Sequence, residues 1–162
     1  MVQTSSLLLG TRGSDRLGRY YTKSDIGELL VAQMEGITPG RVLDLGAGAG
    51  SLSRAALARW SDIELLTVDV DASAQTHLSK LFGSSGSSRH NHIHADALSC
   101  KLPELISAKA KFIDAAVCNP PFIVPRWRKG FNQIIEDAGF SGCLSVLADV
   151  DAALLFLAQN YD

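Results

Sequence analysis

A chain of 162 residues that is 46% hydrophobic and 20% charged has the apolar content to build one globular domain with a sizeable core, which excludes general disorder. Lys and Arg number 15 against 17 Asp and Glu, so the overall charge neither supports nor excludes a polyanionic partner. No apolar run reaches the roughly 20 residues of a membrane span and no basic start precedes Leu7–Leu9, which predicts a cytoplasmic protein without a membrane partner; Cys100, Cys118 and Cys143, odd in number and unrelated in spacing, read as reduced thiols and not as a disulfide framework or zinc site.

Residues 1–16, with their Ser, Thr and Gly, predict a loose lead-in without chemistry, and the domain proper is expected over 17–162. Leu17 to Lys23 (LGRYYTK) then lead to Ser24, placed to cap a helix whose Ile26, Leu29, Leu30 and Met34 share one face and which ends at Gly36, Pro39 and Gly40. Tyr21 and Thr22, just ahead of that helix, either staple it to the core or form a lid over a ligand.

The organising stretch is Arg41 to Gly50, RVLDLGAGAG. An apolar run carries Asp44 and breaks into Gly46, Gly48 and Gly50 before a helix opens at Ser51, which reads as first strand, tight turn and first helix of a doubly wound, mainly parallel α/β sheet. The three glycines suit positive φ or close approach of backbone to a ligand. A dinucleotide fingerprint would need Gly or Ala at position 51, where Ser51 stands, so no pyrophosphate is required. Asp44 at the strand end repels phosphate and favours a cationic amino-acid group, which points to the methionine part of S-adenosylmethionine.

Leu52, Ala55, Ala56 and Trp60 form the apolar face of the next helix, and Ile63 to Val70 form the second strand. Its end, Thr67 to Asp71, places a carboxylate about 20 residues past the turn, where such folds accept ribose hydroxyls; Asp69, with Val70 beside it, is the candidate, and Asp71 is read as the cap of a helix over Ser73–Phe82. After the Gly83–Ser88 connection, His90, His92 and His94 alternate as on one strand face, but nothing nearby supplies a matched fourth ligand and no metal site is assigned. A strand over Ile93–Ala95 delivers Asp96 and Ala97 to the rim, where a carboxylate can accept a hydrogen bond from an adenine amine. Pro103 and Leu105 start a short helix, and Phe112 to Cys118 form the fourth strand.

Asn119-Pro120-Pro121-Phe122 stands at the carboxyl end of that strand. The chemistry suits a planar exocyclic amine, whose delocalised lone pair makes it a poor nucleophile. If the Asn119 side-chain oxygen and the Pro120 carbonyl each accept one N–H, the nitrogen turns tetrahedral and presents its lone pair to a sulfonium methyl. Pro121 stiffens the turn, and Phe122 would stack on the planar group. Arg126, Trp127, Arg128 and Lys129 follow, either as a phosphate-holding patch beside an extruded base or as a solvated loop.

Asp44-x-Gly46-x-Gly48-x-Gly50 followed by NPPF resembles the class I S-adenosylmethionine-dependent methyltransferases that methylate planar nitrogen. GRYYTKSDIGELLV is similar to the cofactor-contacting segment of N6-adenine DNA methyltransferases of restriction-modification systems, with Thr22 matching and Lys23 in place of the usual proline. Asp151 to Phe156 (DAALLF) is similar to the helix start after their catalytic loop. The resemblance implies an adenine-specific enzyme acting on duplex DNA with a flipped base; the alternatives are a protein-glutamine or RNA-base N-methyltransferase, or a non-catalytic cofactor-binding or partner module. That family's domain has seven strands, and four are expected here before NPPF, with a helix over Val146–Tyr161 after it. The sheet is therefore expected to be incomplete at its C-terminus, with an open edge and an uncovered face of Leu154, Leu155 and Leu157. Self-association or a second polypeptide would complete it, and the chain alone is expected to be inactive.

Overall fold

The computed structural model describes residues 21–83, 89–126, 128–142 and 152–160. The lead-in, Leu17–Tyr20, the Ser-rich connection over 84–88, Trp127, Cys143 and residues 146–151 and 161 of the last expected helix lie outside the described residues.

Val42, Leu43 and Leu45 place β1 (Arg41–Leu45) at the centre of the sheet, between β2 (Glu64–Asp69) and β4 (Ala115–Cys118), with β3 (His90–His94) beyond β2. All pairings are parallel, in the order β3-β2-β1-β4, and Asp44 lies level with Thr67 on one side and Val117 on the other. The sheet is covered on both faces, which is why β1, β2 and β4 read as largely apolar runs. Leu43, Leu45, Leu66, Val68 and Ile93 pack with α4 (Leu102–Ser107), α5 (Lys129–Asp137) and α6 (Ala152–Gln159). Val42, Leu65 and Val117 pack with α1 (Ser24–Ala32) and α2 (Ser51–Arg59) through Val31, Leu52, Ala55 and Ala56. This is the expected α/β fold.

The first helix is rotated from its expected orientation. Ile26, Leu29 and Leu30 are 46%, 58% and 48% exposed, while Gly27 and Val31 are buried. A β-carbon at Gly27 would lie 3.4 Å from the Ser51 carbonyl oxygen and 3.6 Å from the Ala55 methyl. Close packing of α1 on α2 thus runs through the narrow glycine face and turns the larger side chains outward. Lys23 occupies the N-cap, without a side-chain cap bond, and Ser24 is already helical.

α3 (Ala72–Phe82) is capped as expected, with Asp71 accepting from Ser73 N at 2.9 Å. β3 starts at His90, three residues before the expected strand, because Thr67 on β2 gives the polar face a partner: its hydroxyl lies 3.0 Å from His90 Nε2 and 2.9 Å from His92 Nδ1. Burial holds both imidazoles below the ordinary histidine pKa, and therefore neutral at pH 7. β4 is shorter than expected, since Asp114 turns back to accept from Gly40 N and Arg41 N at 2.9 and 2.8 Å.

Sequence reading assigns no element between Phe122 and Phe140, yet α5 fills it, burying Phe131, Ile134 and Ile135. The expected uncovered leucine face is corrected as well. Leu155 is fully buried together with Ala152 and Phe156, and only Leu157 of the three leucines is exposed. Among the described residues, β4 pairs with β1 alone, and no helix is long and apolar enough to cross a membrane.

Candidate cofactor and amine site

The turn after β1 is built by positive φ at all three glycines, 80° at Gly46, 51° at Gly48 and 80° at Gly50. Its backbone is tied to the neighbouring strand: Gly46 N and Ala47 N both donate to the Val68 carbonyl, at 2.8 and 3.0 Å. Asp69 adds a second tie, accepting from Gly48 N on one oxygen and from Asp71 N on the other, each at 2.7 Å. Both carboxylate oxygens keep a further lone pair for an incoming hydroxyl.

Asp44 is 1% exposed. Its Oδ2 accepts from Ser53 N at 3.0 Å and Ser53 Oγ at 2.6 Å, in the first turns of α2. Its Oδ1 is buried with no hydrogen-bond partner among the described residues. Burial pushes this carboxyl up to about 6, against the lowering effect of Ser53. An anionic oxygen buried at the strand end without a partner is costly unless a cation arrives.

These groups line one pocket of about 410 Å³. Of the residues singled out from sequence, Tyr21, Thr22, Asp44, Gly46, Gly48, Asp69, Val70, Asp96, Ala97, Asn119, Pro121, Arg126 and Arg128 come together on its wall. Gly50, Pro120, Phe122 and Lys129 do not line it. Gly50 faces α3 instead, where a β-carbon would come within 2.9 Å of Leu78 and 3.2 Å of Phe82. Phe122 is 67% exposed, and Lys129 begins α5.

Asn119 Nδ2 donates to Thr22 Oγ1 at 3.0 Å, which joins the segment before α1 to the end of β4 and assigns the acceptor role to the other amide atom, Oδ1. Tyr21 lies over the turn, where a β-carbon at Gly48 would be 3.6 Å from its ring. The Asp96 carboxylate accepts from Leu98 N at 2.9 Å and pairs with Arg128 at 2.8 Å across the pocket wall. Cys118 precedes Asn119, and burial pushes its thiol up to about 11, so it offers no thiolate nucleophile near neutral pH.

Sequence reasoning passed over Ala47, Leu98, Ile123, Pro125 and Phe156 as wall residues. Phe156 had a signal: Ala152, Leu155 and Phe156 follow i, i+3, i+4 spacing, the mark of one buried helix face. Its ring lies 3.1 Å from where a β-carbon of Gly46 would be, so that glycine makes room for a side chain of α6 as well as for a ligand.

A family model described as the methyltransferase small domain matches residues 21–140, three quarters of the chain and all of the elements from β1 to α5 that build this pocket. The chain belongs to the methyltransferase small domain family. This is a class I, S-adenosylmethionine-dependent methyltransferase family. The residues present fit its cofactor. The buried, partnerless oxygen of Asp44 suits the ammonium, Asp69 keeps acceptor capacity for hydroxyls, and the positive-φ turn leaves backbone bare beside the pocket.

Within curated proteins, the chain is 28% identical over 125 residues to the tRNA1(Val) (adenine(37)-N6)-methyltransferase of Flavobacterium psychrophilum, covering 75% of this chain and 50% of that protein. It is 32% identical over 99 residues to the protein of the same name from Vibrio parahaemolyticus, covering 59% of this chain and 38% of that one. The chain thus spans half or less of these relatives. A solved modification subunit described as part of a type I restriction enzyme from Vibrio vulnificus superposes with a TM-score of 0.60 at 18% identity, over 86% of this chain and 29% of that one, a likeness of fold alone. The restriction-modification reading finds no support in the family match or in these curated relatives. Its support was a short segment before α1 with Lys23 in place of proline, whereas the curated relatives are named for adenine N6 in tRNA.

Proposed function

We propose that this chain carries the cofactor site and the amine-binding turn of an S-adenosylmethionine-dependent methyltransferase that modifies the N6 amine of adenine in RNA, with tRNA as the substrate class. The observation that carries the reading is the meeting of Asn119 with Asp44, Asp69 and the glycine turn on one pocket wall. A sulfonium methyl donor held by the acids would then lie beside the amide that receives the amine.

In this reading the Asp44 carboxylate holds the cofactor's ammonium, Asp69 its ribose hydroxyls and Asp96 its adenine amine. The cofactor supplies an electrophilic methyl on a cationic sulfur. Asn119 Oδ1 accepts one N–H of the target amine and the Pro120 carbonyl the other, which localises the nitrogen lone pair for in-line attack. Thr22 keeps the Asn119 amide in the orientation that presents oxygen and not nitrogen. Arg126, Trp127, Arg128 and Lys129 are assigned to the phosphate backbone. Tyr21, Gly46, Gly48, Val70 and Ala97 shape the cofactor side of the pocket, and Gly50 acts by letting α3 pack against the turn.

RNA is preferred to DNA here because both curated relatives named above are tRNA enzymes. The experiment is transfer of tritiated methyl to an unmodified tRNA transcript and, in parallel, to duplex DNA by a protein that carries this sequence. Label recovered as N6-methyladenosine from the transcript is expected, and label confined to DNA would overturn the RNA reading.

A further inference from the structure

Asp96 and Arg128 were singled out for two different ligands, yet in this structure they hold each other. Arg128 Nη1 donates to Asp96 Oδ2 at 2.8 Å, and the remaining carboxylate oxygen, Oδ1, already accepts from Leu98 N at 2.9 Å. The Asp96 loop is itself pinned, because Gln159 of α6 donates to the Ala97 and Ser99 carbonyls at 3.0 and 2.8 Å. Arg128 occupies the N-cap of α5, with its guanidinium 4.8 Å from the Phe131 ring centre. Both partners of the pair line the cofactor pocket, and both side chains stay partly exposed, 38% for Asp96 and 51% for Arg128.

We infer that the Asp96–Arg128 ion pair is an exchange contact that couples the two ligand sites, so that occupation of the cofactor pocket strengthens binding of the nucleic acid and the reverse. The inference rests on the functional reading above. An amine donor arriving at Asp96 Oδ2 shares that oxygen with Arg128 or displaces it, while Oδ1, which accepts from Leu98 N, has one lone pair left. A guanidinium released there lies on the same wall as Arg126 and turns its donors to a phosphate, the geometry that arginine serves best. In the other direction, a phosphate that captures Arg128 returns Oδ2 to the amine. Thermodynamic linkage makes the two effects equal in size. A half-exposed ion pair contributes up to about 1 kcal/mol, which sets the coupling at about two- to fivefold and makes the contact weak enough for ligands to exchange.

The test is the affinity of this chain for an unmodified tRNA transcript, by fluorescence anisotropy, with and without saturating S-adenosylhomocysteine. The wild type is expected to bind the transcript about two- to fivefold more tightly with the cofactor product present. Asp96→Ala and the milder Asp96→Asn are both expected to raise affinity in its absence and to remove the difference. Arg128→Ala should also remove the difference, and should lower the salt dependence of binding by about one phosphate contact. Equal wild-type affinities in the two conditions, or a difference that survives in folded Asp96→Asn, would overturn the coupling while leaving the functional reading intact. Absence of transcript binding in every condition would overturn that reading and the coupling with it.

Discussion

The Asp69 carboxylate accepts a 2.7 Å hydrogen bond from the backbone N–H of Gly48, 21 residues earlier in the chain, and so fastens the end of β2 to the glycine turn of β1. The acid therefore has a task within the fold as well as the one proposed for it toward a ribose. Asp69→Ala should weaken cofactor binding by about 1–3 kcal/mol, because it leaves hydroxyl and turn donors without an acceptor. Asp69→Asn, which keeps one acceptor, should lose less. Calorimetric titration of the two variants with S-adenosylhomocysteine checks the order.

Asp44, in its proposed role, should give the cofactor affinity a pH dependence. Its carboxyl is raised to about 6 in the folded chain from an ordinary value of 3.8, so between those values the native state holds the proton more tightly than the unfolded state. Its contribution to stability is fully present below about pH 4 and is lost as pH rises through 6. A bound ammonium favours the anion and reverses that preference. Binding should then weaken about tenfold from pH 7.5 to pH 5 and release one proton at pH 5. Titrations in two buffers of different ionisation enthalpy measure both; a flat affinity across this range would remove the ammonium from Asp44.

His90 and His92 act in the opposite sense. Burial lowers both, so the unfolded chain takes up protons first and the stability they contribute, present above about pH 6.5, is lost as pH falls below it. Thr67→Val takes from both imidazoles the hydroxyl that bridges them at 3.0 and 2.9 Å, and should cost about 1–3 kcal/mol in denaturant unfolding at pH 7. A cost below about 0.5 kcal/mol would show that the bridge contributes little.

Gly50 and Gly139 separate backbone conformation from crowding. Both have positive φ, 80° and 74°, but a β-carbon at Gly139 meets nothing within 4 Å, while at Gly50 it comes within 2.9 Å of Leu78. Gly139→Ala should cost about 1 kcal/mol and Gly50→Ala about 1–3 kcal/mol more, read from thermal unfolding. Equal losses would mean that α3 gives way.

Much of this was legible in the sequence, for reasons that differ by residue. The β1 turn could be read because three alternating glycines after an apolar run have few other uses, and the pocket wall followed because parallel strands bring their carboxyl ends to one rim. Asp71 could be read as a cap because its signal is local. The orientation of α1 could not, since it depends on Gly27 meeting Ala55 on another helix. Nor could the mutual pairing of Asp96 and Arg128, 32 residues apart, which appears only once both loops are placed. The helix α5 was readable from Phe131, Ile134 and Ile135 but was masked by the charged run just before it.

Asn119 lines the pocket as a candidate for both the target amine and the cofactor, and the proposed function gives its main task to the amine. In a protein that carries this sequence, Asn119→Ala should abolish methyl transfer while leaving cofactor affinity within a few-fold. Retained transfer to adenine would remove Asn119 from the chemistry. Loss of cofactor affinity by more than tenfold would move it to the cofactor side of the pocket.

The central claim is that Asp44, Asp69 and the glycine turn form an S-adenosylmethionine site in this chain, and calorimetric titration of the folded protein with S-adenosylmethionine tests it most directly. The account predicts saturable binding at one site, weakened by Asp69→Ala and little changed by Asn119→Ala. No binding by the folded chain at millimolar cofactor would contradict it.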